Sequence, residues 1–160
     1  MKYRKVNLDT FSVVGVKKFA SKENGENFIN IPQMWADFPV DDLNKLRELS
    51  NLEPSGVLGV CADMYDNGFD YWIAAATTKD CPAEFEKLEI PASQWAVFEI
   101  EGAMPKAIQD GFLRIFNEWF PTSGFQHANA PEIEWYSEGD MSSPDYKSAI
   151  WIPVVKVSEG

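Results

Sequence analysis

The order strand, helix, strand, strand occurs twice along the chain, over 11–77 and again over 95–157, and this duplication narrows the fold more than any other feature. In the first half FSVVGVKKFA (11–20) is rich in β-branched residues and alternates as a strand does. NFINIPQMWADF (27–38) and VDDLNKLREL (40–49) carry Ile31, Met34, Trp35 and Phe38, then Leu43, Leu46 and Leu49, at helical spacing, with Pro39 dividing them. VLGVCADMY (57–65) and FDYWIAAAT (69–77) read as two strands joined through the turn Asp66-Asn67-Gly68. In the second half KLEIPASQWAVFEIEG (87–102) gives strand residues around a turn at Pro91. MPKAIQDGFLRIFNEWF (104–120) is the clearest helix: Pro105 suits a first turn, and Ile108, Phe112, Ile115, Phe116 and Trp119 make one apolar stripe. PTSG (121–124) ends it, and EIEWYS (132–137) and YKSAIWIPVVKV (146–157) follow as strands separated by a polar Gly/Ser/Pro turn.

Several short strands with two main helices make an α+β fold: a mainly antiparallel sheet with helices on one face and the other face left to solvent or a ligand. A pseudo-two-fold relation between the halves implies a groove lined by the strands that follow each helix. CADMY then corresponds to EIEWY, so Asp63 and Tyr65 are expected where Glu134 and Tyr136 stand in the other half. At 160 residues the chain is expected to be one domain, 1–160, long enough to bury a sizeable core without staples.

Charge and composition then bound the function. The net charge is −11 and the only basic clusters are KYRK (2–5) and Lys17-Lys18, so direct binding to a phosphate backbone is not expected. An acidic field favours cationic partners or solubility. Six Trp, five Tyr and eleven Phe are a heavy aromatic load, divided between core packing and a stacking surface for a flat ligand. Cys61 and Cys81 lie 20 apart without a CxxC and read as reduced thiols of a cytoplasmic protein. No apolar leader and no run of 18 apolar residues is present, which predicts neither secretion nor a membrane span. His127, the only histidine, is expected on a surface loop; one imidazole and two distant cysteines make no metal site, and no phosphate-cradling glycine motif occurs, so no cofactor is expected.

Three stretches, IPASQWAVFEIEG, EWFPTSGFQHANAPEIEWY and YKSAIWIPV, resemble the GyrI-like effector-binding domain, the ligand module of AraC-type and MerR-type multidrug regulators that also occurs alone. The resemblance runs over essentially the whole chain and leaves no room in it for a DNA-binding helix-turn-helix. It implies a duplicated strand-helix-strand-strand unit with a central groove for amphipathic, often cationic and aromatic compounds. The family's Glu-x-Tyr lands on Glu134 and Tyr136, which implies that Glu134 is the carboxylate meeting the ligand's positive charge. Trp95 stands where the family usually has Tyr, and Ala149 where many members carry an acid.

Strand alternation puts Glu132, Glu134 and Tyr136 on one face and Ile133 and Trp135 on the other, the latter pair expected against the helices. Glu132, at the start of the strand, is expected to be solvated. A carboxylate partly desolvated by aromatics has a raised pKa and ionises when a cation binds, so ligand affinity is expected to rise with pH. Tyr71, preferred over Trp72, and Trp151 are expected to face the groove from strands, and Trp35 and Phe112 to close its ends from the helices. The leading function is a stand-alone module that binds cationic, hydrophobic, drug-like molecules for sequestration or for sensing through a separate regulator. Two alternatives come with the resemblance. One is hydrolysis of cyclopropane-bearing genotoxic compounds, with Glu134 activating water and Tyr136 donating a proton; the other is interaction with DNA gyrase.

Overall fold

The computed structural model describes residues 1–157; the last three residues of the expected 1–160 domain lie outside the described residues. In chain order the elements are β1 (Tyr3–Leu8), β2 (Phe11–Ser21), α1 (Asn27–Asp37), α2 (Val40–Leu49), β3 (Leu58–Tyr65), β4 (Gly68–Ala76), β5 (Glu86–Ile90), β6 (Ser93–Glu101), α3 (Lys106–Arg114), a π-helical turn (Ile115–Trp119), α4 (Phe120–Ser123), β7 (Phe125–His127), β8 (Glu132–Tyr136) and β9 (Lys147–Lys156). These form two compact units, Thr10–Ile90 and Met1–Asp9 with Pro91–Gly160. The expected α+β architecture of antiparallel strands and a few helices is present. β1 and β7 were not legible as strands, and β1 pairs in the second unit rather than with its sequence neighbour β2. Among the described residues no helix is long and apolar enough to cross a membrane.

In the unit Thr10–Ile90 the strand order is β3-β4-β2-β5, all antiparallel. A two-residue turn, Asp66-Asn67, joins β3 to β4 with Tyr65 opposite Gly68. Phe38 is extended (ψ 128°) because the following proline disfavours the α region, and this separates α1 from α2. Asp41 and Asp42 in the first turn of α2 and Arg47 in its last complement the helix dipole. The helices cover Ala20, Cys61, Phe69, Tyr71, Ile73 and Ala75 with Leu46, and Ile31, Met34, Trp35, Phe38 and Leu49 pack around them, so all of the helical stripe read from sequence but Leu43 belongs to this cluster.

β2 and β4 approach so closely at Gly15, which lies opposite Ala74, that a Cβ there would sit 2.1 Å from the Ile73 carbonyl oxygen and 2.6 Å from the Ala74 Cα. Both obstacles are backbone, which cannot turn aside as a side chain can. Gly15→Ala is therefore expected to cost about 3 kcal/mol or more of stability. Denaturant unfolding of the purified variant measures it, and a change within about 0.5 kcal/mol, the range of an innocuous surface substitution, would mean that the strand pair shifts freely.

In the second unit the order is β1-β6-β9-β8, with β7 also pairing β9. α3, the π turn and α4 make one continuous helical run, ended by Gly124 in the left-handed region (φ 78°). Its Ile108, Ile115 and Trp119 pack on Ala96, Phe98, Ile100, Ile150, Ile152 and Val154. Gly111 lets the helix press down: a Cβ there would meet Ile100 Cδ1 at 2.8 Å and Ile150 Cδ1 at 3.0 Å. Phe116, expected in the packed stripe, is instead 43% exposed.

The sheet face away from the helices does not stand open, as had been expected. In the first unit Val13, Leu58, Val60, Trp72 and Ala74 are buried on that face, and in the second Trp95, Val97, Ile133 and Trp151. The uninterrupted apolar runs VLGVCA and WIAAA carry this two-sided burial in the sequence, since a half-solvated strand alternates and a fully buried one does not.

Candidate functional site

β8 is five residues long, and its register on β9 fixes which way each side chain points. Glu134 lies opposite Ile150, Ile133 opposite Trp151, Trp135 opposite Ala149 and Tyr136 opposite Ser148. Directly opposed residues of an antiparallel pair share a face. Ile150 is in the cluster under the helix, and Tyr136 packs against that cluster. Glu134 and Tyr136 therefore point to the helix-covered face. The expected orientation, with Ile133 and Trp135 toward the helix, is reversed, although the pairing of Glu134 with Tyr136 on one face holds.

Glu134 is 5% exposed, and the Tyr136 hydroxyl donates to its Oε1 at 2.7 Å. Phe112 of α3 is partly buried against the same cluster, so it shares the helix side of this sheet with Glu134. Ser148, opposite Tyr136, is 3% exposed, and its hydroxyl has no hydrogen-bond partner among the described residues. Glu134 is thus a buried carboxylate that accepts from a phenol, with aromatic neighbours and the Ser148 hydroxyl on the same face. Such a carboxylate is costly to keep dry and gains most from an arriving positive charge.

Glu132, expected to be solvated, is 5% exposed and bonded to His127 Nε2 at 3.1 Å. His127, expected on a surface loop, belongs to β7, and its Nδ1 accepts the Asn129 backbone N–H at 2.9 Å. Its ring lies 6.3 Å from those of both Phe116 and Phe120, nearly parallel to the former (19°). The signal that could have found this pair is HANAPE itself, a short turn returning a histidine to a glutamate five residues on, with Asn129 taking the positive φ (57°) that the turn requires.

The remaining expected residues fall elsewhere. Trp151 lies on the face opposite Glu134, with the Arg4 guanidinium 5.5 Å from its ring and Trp95 edge-on at 6.3 Å. Its register thus separates it from Glu134. Ala149, where the family pattern carries an acid, is on that same far face, opposite Glu99. In the other unit Tyr71 is fully buried on the helix side, and Trp35 Nε1–H donates to its hydroxyl at 2.8 Å. Trp72 points the other way, with Lys17 Nζ 5.7 Å from its ring.

The expected counterparts of Glu134 and Tyr136 do not reproduce the pair. Asp63 is exposed at φ 50°, within an irregularity that shifts the β3–β4 register between Ala62 and Tyr65, and Tyr65 is 51% exposed. The Tyr65 hydroxyl donates to Asp70 Oδ2 at 3.2 Å, and that neighbouring carboxylate raises its phenol above the ordinary range. The duplicated units therefore carry different chemistry. Beyond β8, burial raises the Tyr146 phenol, whose hydroxyl donates to the Ser137 carbonyl at 2.5 Å and ties the loop after β8 to the start of β9. Among the described residues no three His, Cys, Asp or Glu side chains converge on a point where a metal could sit.

The model of the family described as integron-associated effector binding protein, Cass2, matches residues 5–154. Among solved structures the chain is similar to SAV2435 bound to tetraphenylphosphonium, at 26% identity and a TM-score of 0.85 over 97% of this chain and 94% of that one. It is similar also to a putative bacterial transcription regulation protein from Staphylococcus aureus MU50, at 25% identity and a TM-score of 0.77 over 96% and 98%. The integron cassette protein VCH_CASS2 from the mobile metagenome of Vibrio cholerae has the same fold, at 20% identity and a TM-score of 0.68 over 96% and 95%. No curated protein matches the chain.

Proposed function

The chain belongs to the Cass2 family of integron-associated effector binding proteins, with the GyrI-like fold, and we propose that it binds cationic, amphipathic aromatic small molecules with Glu134 as their counter-charge. The observation that carries this reading is the burial of Glu134 on the helix side of β8, at 5% exposure, with Tyr136 donating to it. A hydrogen bond from a phenol orients a carboxylate without cancelling its charge, and the proposed ligand cation brings the opposite charge to it. Tyr136 and Phe112 supply aromatic surface beside it in the same unit; Tyr71 and Trp35, hydrogen-bonded to each other, are proposed ligand-binding aromatics of their own unit. Trp151 backs the strand from its far side, occupied by Arg4, and is no longer among the residues proposed to touch the ligand with Glu134. The ligand held by SAV2435, tetraphenylphosphonium, is of the proposed class. Selectivity of such a site is loose, because stacking and one charge discriminate poorly between flat cations; that suits a module for sequestering or sensing drug-like compounds.

Tetraphenylphosphonium and tetraphenylborate have nearly one shape and opposite charge, so together they isolate the electrostatic part of binding. Tryptophan fluorescence is expected to be quenched saturably by the cation and to respond to the anion only at far higher concentration. Equal responses, or none to the cation, would end this reading.

A further inference from the structure

We propose, building on the role given to Glu134, that the helix-side face of β8 takes ligands with two cationic centres, one against Glu134 and the other against Glu132. The two carboxylates occupy alternate positions of one strand, roughly 7 Å apart along it, and each is 5% exposed. Glu132 Oε2 lies 3.1 Å from His127 Nε2. His127 Nδ1 accepts the Asn129 N–H, which turns Nε2 of the ring toward Glu132 as the donor. The histidine therefore aims the Glu132 carboxylate. Phe116 and Phe120 lie beside the imidazole and give this end of the site apolar walls, with Phe116 partly open to solvent. The same face holds, opposite Tyr136, the buried Ser148 hydroxyl, which has no partner among the described residues and is a hydrogen-bonding group for an occupant.

The test sets p-xylylene bis(trimethylammonium), whose charges have about the spacing of alternate strand side chains, against its singly charged half, benzyltrimethylammonium, by titration calorimetry. The wild-type chain is expected to prefer the dication by about tenfold or more, the scale of one added charge-assisted contact. Glu132→Gln, which still accepts from His127, is expected to remove most of that preference while leaving monocation affinity within about twofold, and Glu48→Gln, an exposed glutamate of α2, reports how much any lost negative charge matters. If Glu132→Gln leaves the preference intact, or lowers it no more than Glu48→Gln does, or weakens both ligands equally, the two-centre site is overturned while the role of Glu134 stands. If Glu134→Gln leaves the monocation unaffected, or the wild type binds neither ligand, the role of Glu134 fails and the two-centre site fails with it. An unchanged thermal midpoint for Glu132→Gln separates loss of charge from loss of fold.

Discussion

Replacing Glu134 by glutamine is expected to weaken binding of tetraphenylphosphonium about thirtyfold or more, equivalent to roughly 2 kcal/mol, the lower end of the cost of removing one partner of a buried charge pair. The substitution keeps size, shape and an oxygen at the position that accepts the Tyr136 hydroxyl at 2.7 Å, so packing on the helix side is retained. What disappears is the negative charge and with it the field that favours a desolvated cation. Apolar contact with Phe112 and Tyr136, proposed as the aromatic surface of the site, is expected to persist and to set the residual affinity. Tyr136→Phe should cost less, because the ring stays and only the hydroxyl that orients the carboxylate is lost. Fluorescence titration of the three proteins under one buffer decides the matter: wild-type affinity in Glu134→Gln would mean that the cation is held by aromatic surface alone.

The second large effect is on stability. Trp119, 7% exposed, has ring centroids of Tyr3, Phe98 and Phe120 within about 5 Å and that of Phe125 at 5.9 Å, stacked on it at 11°. One indole thus joins β1, β6, α4 and β7. Trp119→Ala removes the largest of these rings and leaves a void that four neighbours on three strands and a helix cannot jointly fill, so a loss of about 3–5 kcal/mol is expected. For a chain of this length that corresponds to a fall in the unfolding midpoint on the order of 10 °C. Calorimetry measures it, with Trp119→Phe as the milder companion; a fall below about 3 °C would mean that the aromatic cluster reorganises around the gap.

How far the sequence could be read depended on whether period or facing was asked of it. Period was sufficient for α1 and α2 as 27–37 and 40–49, and for the hairpin across Asp66 and Asn67, because an apolar stripe at 3.6 and an Asn-Gly turn have few other meanings. β1 was missed because YRKVNL is a largely exposed edge strand, and a charged edge carries no hydrophobic alternation. Facing failed at β8 for a different reason. Ile133 and Trp135 looked like the buried side of a one-sided sheet, but both sides are buried, and then apolar character no longer says which side holds the helix. Glu134 and Tyr136 as a pair were legible from the family pattern; Glu132 and His127 were not, since their bond depends on how β7 and the turn after it bring a lone histidine back to the start of β8.

The π turn at Ile115–Trp119 fits one more residue into its rise than an α-helix would. Positions before and after it are therefore out of phase by about 100° relative to a regular helix. An homologous chain with an uninterrupted helix would be one residue shorter here, and an ungapped alignment would exchange a core position such as Trp119 for a solvent position such as Glu118. Residue equivalences carried between relatives across this segment hold only if they are counted from the strand on the same side of the turn.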